Sequence, residues 1–188
     1  MNTKNEKKLS TVSMVLCGMF AALVAIGAFI QIPVPYMDYF TLQFFFVLLA
    51  GLILGADKGA ISVGCYVLLG LVGVPIFAAG GGIGYIFRPS FGYLVGFIVS
   101  AYVTGKVCEK LKASYKNYLL ACLAGFVVTY AIGIVYKFII LNFYAHTPAT
   151  LGVIFLSCFP LDMPGDFVLC LLAAGVGLRM RKSGFYLS

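Results

Sequence analysis

The chain has 188 residues, of which 62% are hydrophobic and only 10% are charged, and its mean hydropathy is +1.06. Soluble globular domains are about 45–50% apolar and about 25% charged, and disordered chains are polar and charge-rich. The composition therefore excludes both classes. It predicts an all-α integral membrane protein in which residues 1–188 form one domain.

Six apolar segments, separated by glycine, proline or charge, predict six transmembrane helices. In chain order they are Thr11–Ile32, Tyr39–Gly55, Gly59–Val74, Pro89–Glu109, Asn117–Phe143 and Val153–Leu178. Pro89 suits the first turn of a helix, whereas Pro160 and Pro164 interrupt the sixth segment. The third segment is short, and a tilted, broken or partly re-entrant helix remains an alternative for it.

The basic residues predict the orientation in the membrane. Eleven of the thirteen lie at the segment ends that six spans place on the side of the termini: Lys4, Lys7, Lys8, Lys58, Lys106, Lys110, Lys112, Lys116, Arg179, Arg181 and Lys182. Because Lys and Arg concentrate in cytoplasmic loops, both termini are predicted to be cytoplasmic in a multi-pass protein of the cell membrane. The same distribution accounts for the net charge of +7 without a nucleic-acid partner.

Five charged residues remain for the outer half of the protein: Arg88, Lys137, Asp38, Asp162 and Asp166. Lys137 and Asp166 are each flanked by apolar residues, and an ionisable group at membrane depth costs about 2.5–3.5 kcal/mol. Two interpretations follow. Either Lys137 and Asp166 form a buried pair that only fixes helix packing, or the charges line a polar cavity that opens outward and binds a solute.

Residues 76–93 form a glycine-rich loop between the third and fourth segments. Glycines such as Gly82 allow close backbone approach to a ligand, and successive N–H groups can cradle an anion. Arg88 can grip a carboxylate with two hydrogen bonds, and the helix N-terminus at Pro89 favours negative charge. A flexible turn is the alternative interpretation of this loop.

A second outer segment, residues 33–39, is rich in proline and aromatic residues and predicts a lid that carries Tyr36. Gln43 and Phe44 follow on the second helix, where they are predicted to line the same cavity. The cysteines are too far apart for a C-x-x-C site, so no metal or cofactor is expected. An intramembrane enzyme that uses Asp162 and Asp166, or a stand-alone channel, remains as a different class of function.

Two motifs resemble the BioY family: residues 81–97, especially Gly84-Tyr85 and the Pro-Ser-Phe-Gly-Tyr-Leu-Val-Gly-Phe run at 89–97, and Pro164-Gly165-Asp166. The resemblance implies a six-helix, non-enzymatic S component of an energy-coupling factor (ECF) transporter that binds biotin from outside. It also implies a membrane-embedded T component and two cytoplasmic ABC ATPases as partners, with Ala21 and Ala25 contacting the T component. An S component for another vitamin remains the alternative, because these families share their fold.

The resemblance implies biotin as the ligand, and the chemistry of biotin can be matched to the candidate residues that the charge distribution indicates. Asp166 or Asp162 can accept the ureido N–H groups of biotin, and Lys137 or Asn142 can donate to the ureido carbonyl. Arg88 and the glycine N–H groups are then left for the biotin carboxylate. Members of the family often carry a lysine where this chain has Leu169, and Lys137 is the candidate that replaces its charge. The apolar walls are assigned to four aromatic side chains: Tyr36, Phe44, Tyr85 and Tyr136.

Overall fold

The structure is a computed structural model that describes residues 10–33, 39–145, 147, 149–158 and 162–184. Its α-helices are α1 (Thr11–Phe29), α2 (Gln43–Leu54), α3 (Ala56–Val72), α4 (Phe91–Lys110), α5 (Tyr115–Ile139), α6 (Leu151–Cys158) and α7 (Asp162–Lys182). Two short strands, β1 (Gln31–Pro33) and β2 (Tyr39–Thr41), pair antiparallel. A 3₁₀ turn (Ile83–Phe87) precedes α4, and a π-helical turn (Ile140–Tyr144) extends α5.

Four of the described helices are long and apolar enough to cross a bilayer: α1, α4, α5 with its π-helical turn, and α7. Helices α2 and α3 have 12 and 17 residues, fewer than the about 20 that a typical span requires. Large apolar side chains are exposed along the helices, such as Val15 at 65% and Leu68 at 63%. Because such surface is compatible with lipid and not with water, the protein is a mostly helical membrane protein.

The structure differs from the sequence prediction at the outer ends of the segments. The sixth segment is divided into α6 and α7, with residues 159–161 outside the described part. Pro164 is the third residue of α7, where its missing N–H costs nothing because the first four N–H groups of a helix lack intrahelical acceptors. The first segment ends in β1 rather than in helix, so the all-α prediction is wrong for this hairpin. Helix α4 begins two residues after Pro89.

Helices α4 and α5 lie side by side, with α2 and α3 packed on α4 and α7 packed on α5. Their backbones approach closely at Gly96, where an added Cβ would lie 3.0 Å from the carbonyl oxygen of Thr129. Small residues allow membrane helices to pack in this way. The close packing fixes α4 relative to α5, and both helices contribute side chains to the pocket described next.

Candidate functional site

A pocket opens where β2, α2, the loop after α3, α4, α5 and the start of α7 meet. Its volume is about 780 Å³, including the space at its open mouth. Small-molecule sites have mainly apolar walls with a few polar groups. The lining combines aromatic rings with charged and hydroxyl groups: Phe40, Thr41, Gln43, Phe44, Ala78, Ala79, Tyr85, Ser90, Tyr93, Leu94, Phe97, Tyr130, Lys137, Asp162 and Asp166.

The structure brings together six of the residues selected from the sequence. They come from α2, the 3₁₀ turn, α5 and α7, and they are Gln43, Phe44, Tyr85, Lys137, Asp162 and Asp166. Lys137, Asp162 and Asp166, the ionisable residues that lie in apolar sequence, therefore share one cavity, to which the glycine-rich loop also contributes.

The first two turns of α7 build the acidic side of the pocket. Asp162 begins the helix, and Asp166 follows one turn later on the same face. The hydroxyl of Tyr130, on α5, donates a hydrogen bond to Oδ2 of Asp166 at 2.8 Å. This bond orients the Asp166 carboxyl group, whose other oxygen keeps lone pairs that can accept a hydrogen bond.

Lys137 supplies the positive charge of the pocket. Within the part of the chain that the structure describes, no carboxylate oxygen lies within 4.0 Å of its ammonium group. The Lys137–Asp166 pair that would only fix helix packing is therefore not formed. Both side chains line the cavity instead, which is the arrangement expected of groups that bind a polar solute.

Aromatic side chains form most of the remaining wall. The rings of Phe44 and Phe97 stack with centroids 5.9 Å apart, and the rings of Tyr93 and Tyr130 meet edge to face at 5.8 Å. Such packing holds each ring in one orientation. The wall is therefore rigid where an apolar part of a ligand would contact it.

The glycine-rich loop is anchored rather than flexible. Phe77, only 1% exposed, packs its ring against Tyr66 and Tyr85, with centroids 5.5 Å and 4.6 Å apart. The same ring fills the space in which Gly70 has no side chain. Because any larger residue at position 70 would displace Phe77, this glycine allows the loop to be seated on α3.

Gly82 does not line the pocket. Its φ of 100° is accessible to glycine, and its N–H donates to the carbonyl oxygen of Gly70 at 2.7 Å. This N–H is therefore already used, and the predicted anion cradle is not formed at Gly82. The loop contributes the small side chains of Ala78 and Ala79 to the pocket instead.

Arg88 lies beside the pocket and not in its lining. Its side chain is exposed, and the guanidinium carbon lies 5.3 Å from the ring centroid of Tyr85. Because Tyr85 itself faces the cavity, this cation–π contact keeps the Arg88 charge next to the cavity wall.

Two other predicted residues have structural partners. Tyr136 donates its hydroxyl proton to the carbonyl oxygen of Ile86 and so ties α5 to the 3₁₀ turn. Asn142 donates to the carbonyl oxygens of Phe138 at 3.0 Å and Ala149 at 2.9 Å, and its Oδ1 accepts from the Ala149 N–H at 3.2 Å. Neither side chain lines the pocket, so the predicted ligand contacts of Tyr136 and Asn142 are corrected to contacts that hold loops.

Tyr36 and the other residues at 34–38 of the predicted lid fall outside the described residues, whereas the two ends of the lid, Pro33 and Tyr39, lie in β1 and β2. Several lining residues were not selected from the sequence, namely Phe40, Thr41, Ala78, Ala79, Ser90, Tyr93, Leu94, Phe97 and Tyr130. The spacing of Ser90, Tyr93, Leu94 and Phe97 is i, i+3, i+4 and i+7, which marks one helix face. Tyr130 precedes Lys137 by seven residues and lies on nearly the same face.

The small residues of α1 lie on two different faces of the helix, one buried and one exposed. Ala21 is 8% exposed and packs in the core, and Ala25 is half-buried against it. Gly18 and Ala22 are exposed, on the same side as Val15. The exposed small residues on this side of α1 are therefore Gly18 and Ala22, and the contact of Ala21 and Ala25 with a T component stays a prediction.

A mostly helical membrane protein with charged groups converging in an aromatic-lined pocket belongs to the class of membrane proteins that bind small molecules. The sequence profile of the BioY family matches residues 1–184. A probable biotin transporter BioY of Lysinibacillus sphaericus is 40% identical over 94% of this chain and 90% of its own length. The biotin transporter BioY of Thermotoga maritima is 38% identical over 90% of this chain and 95% of its own.

A solved structure shares the fold. It is the crystal structure of the S-component for biotin from an ECF-type ABC transporter, which superposes with a TM-score of 0.80 at 25% identity. The match covers 96% of this chain and 95% of that one. The chain belongs to the BioY family, whose named relatives are transporters and not enzymes.

Proposed function

We propose that this chain binds biotin from the outer side of the cell membrane and delivers it for uptake as the S component of an ECF-type importer. The observation that carries the proposal is the pocket itself, in which Asp162, Asp166 and Lys137 interrupt an aromatic wall. Named biotin transporters among the relatives support the choice of ligand.

The polar groups of the pocket match the ureido ring of biotin, which has two N–H donors and one carbonyl acceptor. Asp166 accepts an N–H through the carboxylate oxygen that Tyr130 does not use, and Asp162 lies one turn away. Lys137 donates to the ureido carbonyl. Leu169 is 6% exposed and apolar, so Lys137 brings from α5 the positive charge that many family members place at that position of the last helix.

The rest of the ligand follows from this orientation. The thioether ring lies against the aromatic wall that includes Phe44 and Phe97. The valerate carboxylate then extends toward the side of the pocket where Arg88 stacks over Tyr85. Because Arg88 is exposed, its attraction for the carboxylate acts in part through solvent and contributes less than the enclosed charges.

Calorimetric titration of the purified chain with biotin, in detergent and without nucleotide, tests the proposed function. We expect saturable binding of one biotin per chain and no heat with thiamine or riboflavin. Mass spectrometry of the small molecule that co-purifies with the chain gives an independent identification. Tight binding of another vitamin, with none of biotin, would make the protein an S component for that vitamin.

We further propose six membrane spans with both termini in the cytoplasm, α2 and α3 crossing as the shorter helices. In a Cys65→Ala background, Thr147→Cys is expected to react with an impermeant maleimide on intact cells, whereas Ala113→Cys reacts only after permeabilisation. Both positions are exposed and lie outside the helices, so they form a matched pair. Labelling of Ala113→Cys on intact cells would contradict this orientation.

Uptake additionally requires a membrane-embedded T component and two cytoplasmic ABC ATPases. The proposed docking face for the T component is the exposed side of α1 around Gly18 and Ala22, with Ala25 at its edge. Small residues on this face allow a partner helix to approach closely.

Ala22→Leu is expected to lower biotin uptake in cells at least tenfold while leaving biotin binding by the isolated chain unchanged. The added side chain fills the space that a partner helix needs, and it lies away from the pocket. Ala131→Leu on α5, the same change at another exposed position, serves as the control and should leave uptake near the wild-type level. Equal uptake by both variants would exclude this face of α1.

A further inference from the structure

Tyr66, on α3, is fully buried and is not among the residues that line the pocket. Its hydroxyl lies between two groups. It contacts the side-chain nitrogen of Gln43, which does line the pocket, and it lies 3.0 Å from the carbonyl oxygen of Ile76 in the glycine-rich loop. Tyr66 therefore connects a pocket residue to the loop that forms another part of the wall.

The direction of the hydrogen bonds follows from this arrangement. The Ile76 carbonyl can only accept, so the single hydroxyl proton of Tyr66 is donated to it. The Tyr66 oxygen must then accept from Gln43, which requires the NH₂ end of the amide to face Tyr66. On the other side, Oε1 of Gln43 accepts from the hydroxyl of Thr41 at 3.2 Å.

This network gives the amide of Gln43 one preferred orientation. A flipped amide would place its carbonyl oxygen against a tyrosine oxygen that has no proton left to donate. In the preferred orientation, the second N–H and the second lone pair of the Gln43 amide remain for a ligand, each on a defined side. Ordinarily the two ends of such an amide are nearly interchangeable.

Gln43 lines the same pocket as Asp162 and Asp166. Phe40, three residues earlier on β2, places its ring in the space that a side chain at Gly165 would need. Gly165 directly precedes Asp166, so the chain segment that leads into α2 is packed against the start of α7. The amide and the carboxyl group are therefore both available to a ligand in this pocket.

We propose that Tyr66 is a positioning residue for ligand specificity: its hydroxyl fixes the side on which Gln43 presents a donor and an acceptor to a cyclic urea group bound beside Asp166. The inference rests on the proposed function, because it takes the ureido ring of biotin as that group. A urea ring has both donors and an acceptor, and an amide of fixed orientation matches such a pattern without first having to reorient.

The Tyr66→Phe variant isolates the hydroxyl. The phenylalanine keeps the ring that packs edge to face on Phe77, so the loop retains its apolar seat. In the Gln43→Met background the amide is absent, and Tyr66 has nothing left to orient. A double-mutant cycle on biotin affinity therefore separates positioning from a merely structural role.

We expect Tyr66→Phe to weaken biotin binding about tenfold in the otherwise wild-type chain and less than twofold in the Gln43→Met background, measured by calorimetric titration. The same loss in both backgrounds would overturn the role of Tyr66. Absence of biotin binding by the wild-type chain would overturn the proposed function and the ligand assigned to Gln43. Should Tyr66→Phe not fold, Thr41→Val removes the other bond to the amide, and its effect must likewise vanish in the Gln43→Met background.

Discussion

Replacing Asp166 with asparagine is expected to raise the Kd for biotin at least tenfold. Hydrogen bonds to a charged acceptor contribute about 1.5–3 kcal/mol, which corresponds to roughly 10- to 150-fold in affinity. If the hydroxyl of Tyr130 continues to donate to the carbonyl oxygen at position 166, the new NH₂ group faces the ureido N–H donors. The asparagine NH₂ group and the ureido N–H group, both hydrogen-bond donors, then face each other where a carboxyl oxygen accepted from the N–H group in the wild-type chain.

Calorimetric titration of the purified variant measures this loss, and its thermal stability in detergent reports whether it folds. Asp57→Asn is the matched control, because Asp57 is an exposed carboxylate in the first turn of α3 and does not line the pocket. We expect the control to bind like the wild-type protein. A folded Asp166→Asn variant with unchanged affinity would remove Asp166 from the proposed binding site.

Lys137→Met is expected to weaken biotin binding tenfold or more. Methionine keeps much of the aliphatic stem and removes only the ammonium group, which is the donor assigned to the ureido carbonyl. Removing it also leaves Asp162 and Asp166 without a cation among the described residues that line the pocket. The loss should be equal for biotin and for biotin amide, because both ligands carry the same ureido ring.

Titrations with the two ligands provide the internal comparison. A loss confined to biotin would show instead that Lys137 contacts the carboxylate. Lys106→Met is the control, since Lys106 is an exposed lysine near the end of α4 that pairs with Glu109 at 3.6 Å. No loss for either ligand would exclude Lys137 from the site.

The charged residues of the pocket could be predicted from the sequence because placing a charged group inside a membrane has a large free-energy cost. Asp162, Asp166 and Lys137 stand out in apolar segments, and all three line the cavity. The aromatic part could not be found in the same way. Phe97, which lines the pocket, and Phe155, which is 50% exposed, both occur in apolar helices. Composition gives no signal that separates a ligand wall from a lipid-facing surface.

The same physical reason explains why the burial of Ala21 was not predicted. In a soluble protein the polar face of a helix reveals its outward side, but a helix of α1's composition is apolar all round. Its rotation about its own axis therefore had to come from packing against α2 and α3. The prediction of an anion cradle at Gly82 failed for a different reason. The sequence shows which residues permit close approach of the backbone, but not that the N–H of Gly82 is already bonded to Gly70.

The packing of Phe77 against Gly70 holds in place the part of the pocket wall that the glycine-rich loop forms, without a contribution from the ligand. Little chain entropy is then lost in this region at the moment of capture, because no segment there has to order itself. More of the interaction energy between the pocket wall and the ligand therefore contributes to the binding free energy, and the ligand dissociates more slowly. This property suits a protein that must hold a dilute nutrient until the machinery for its release is available.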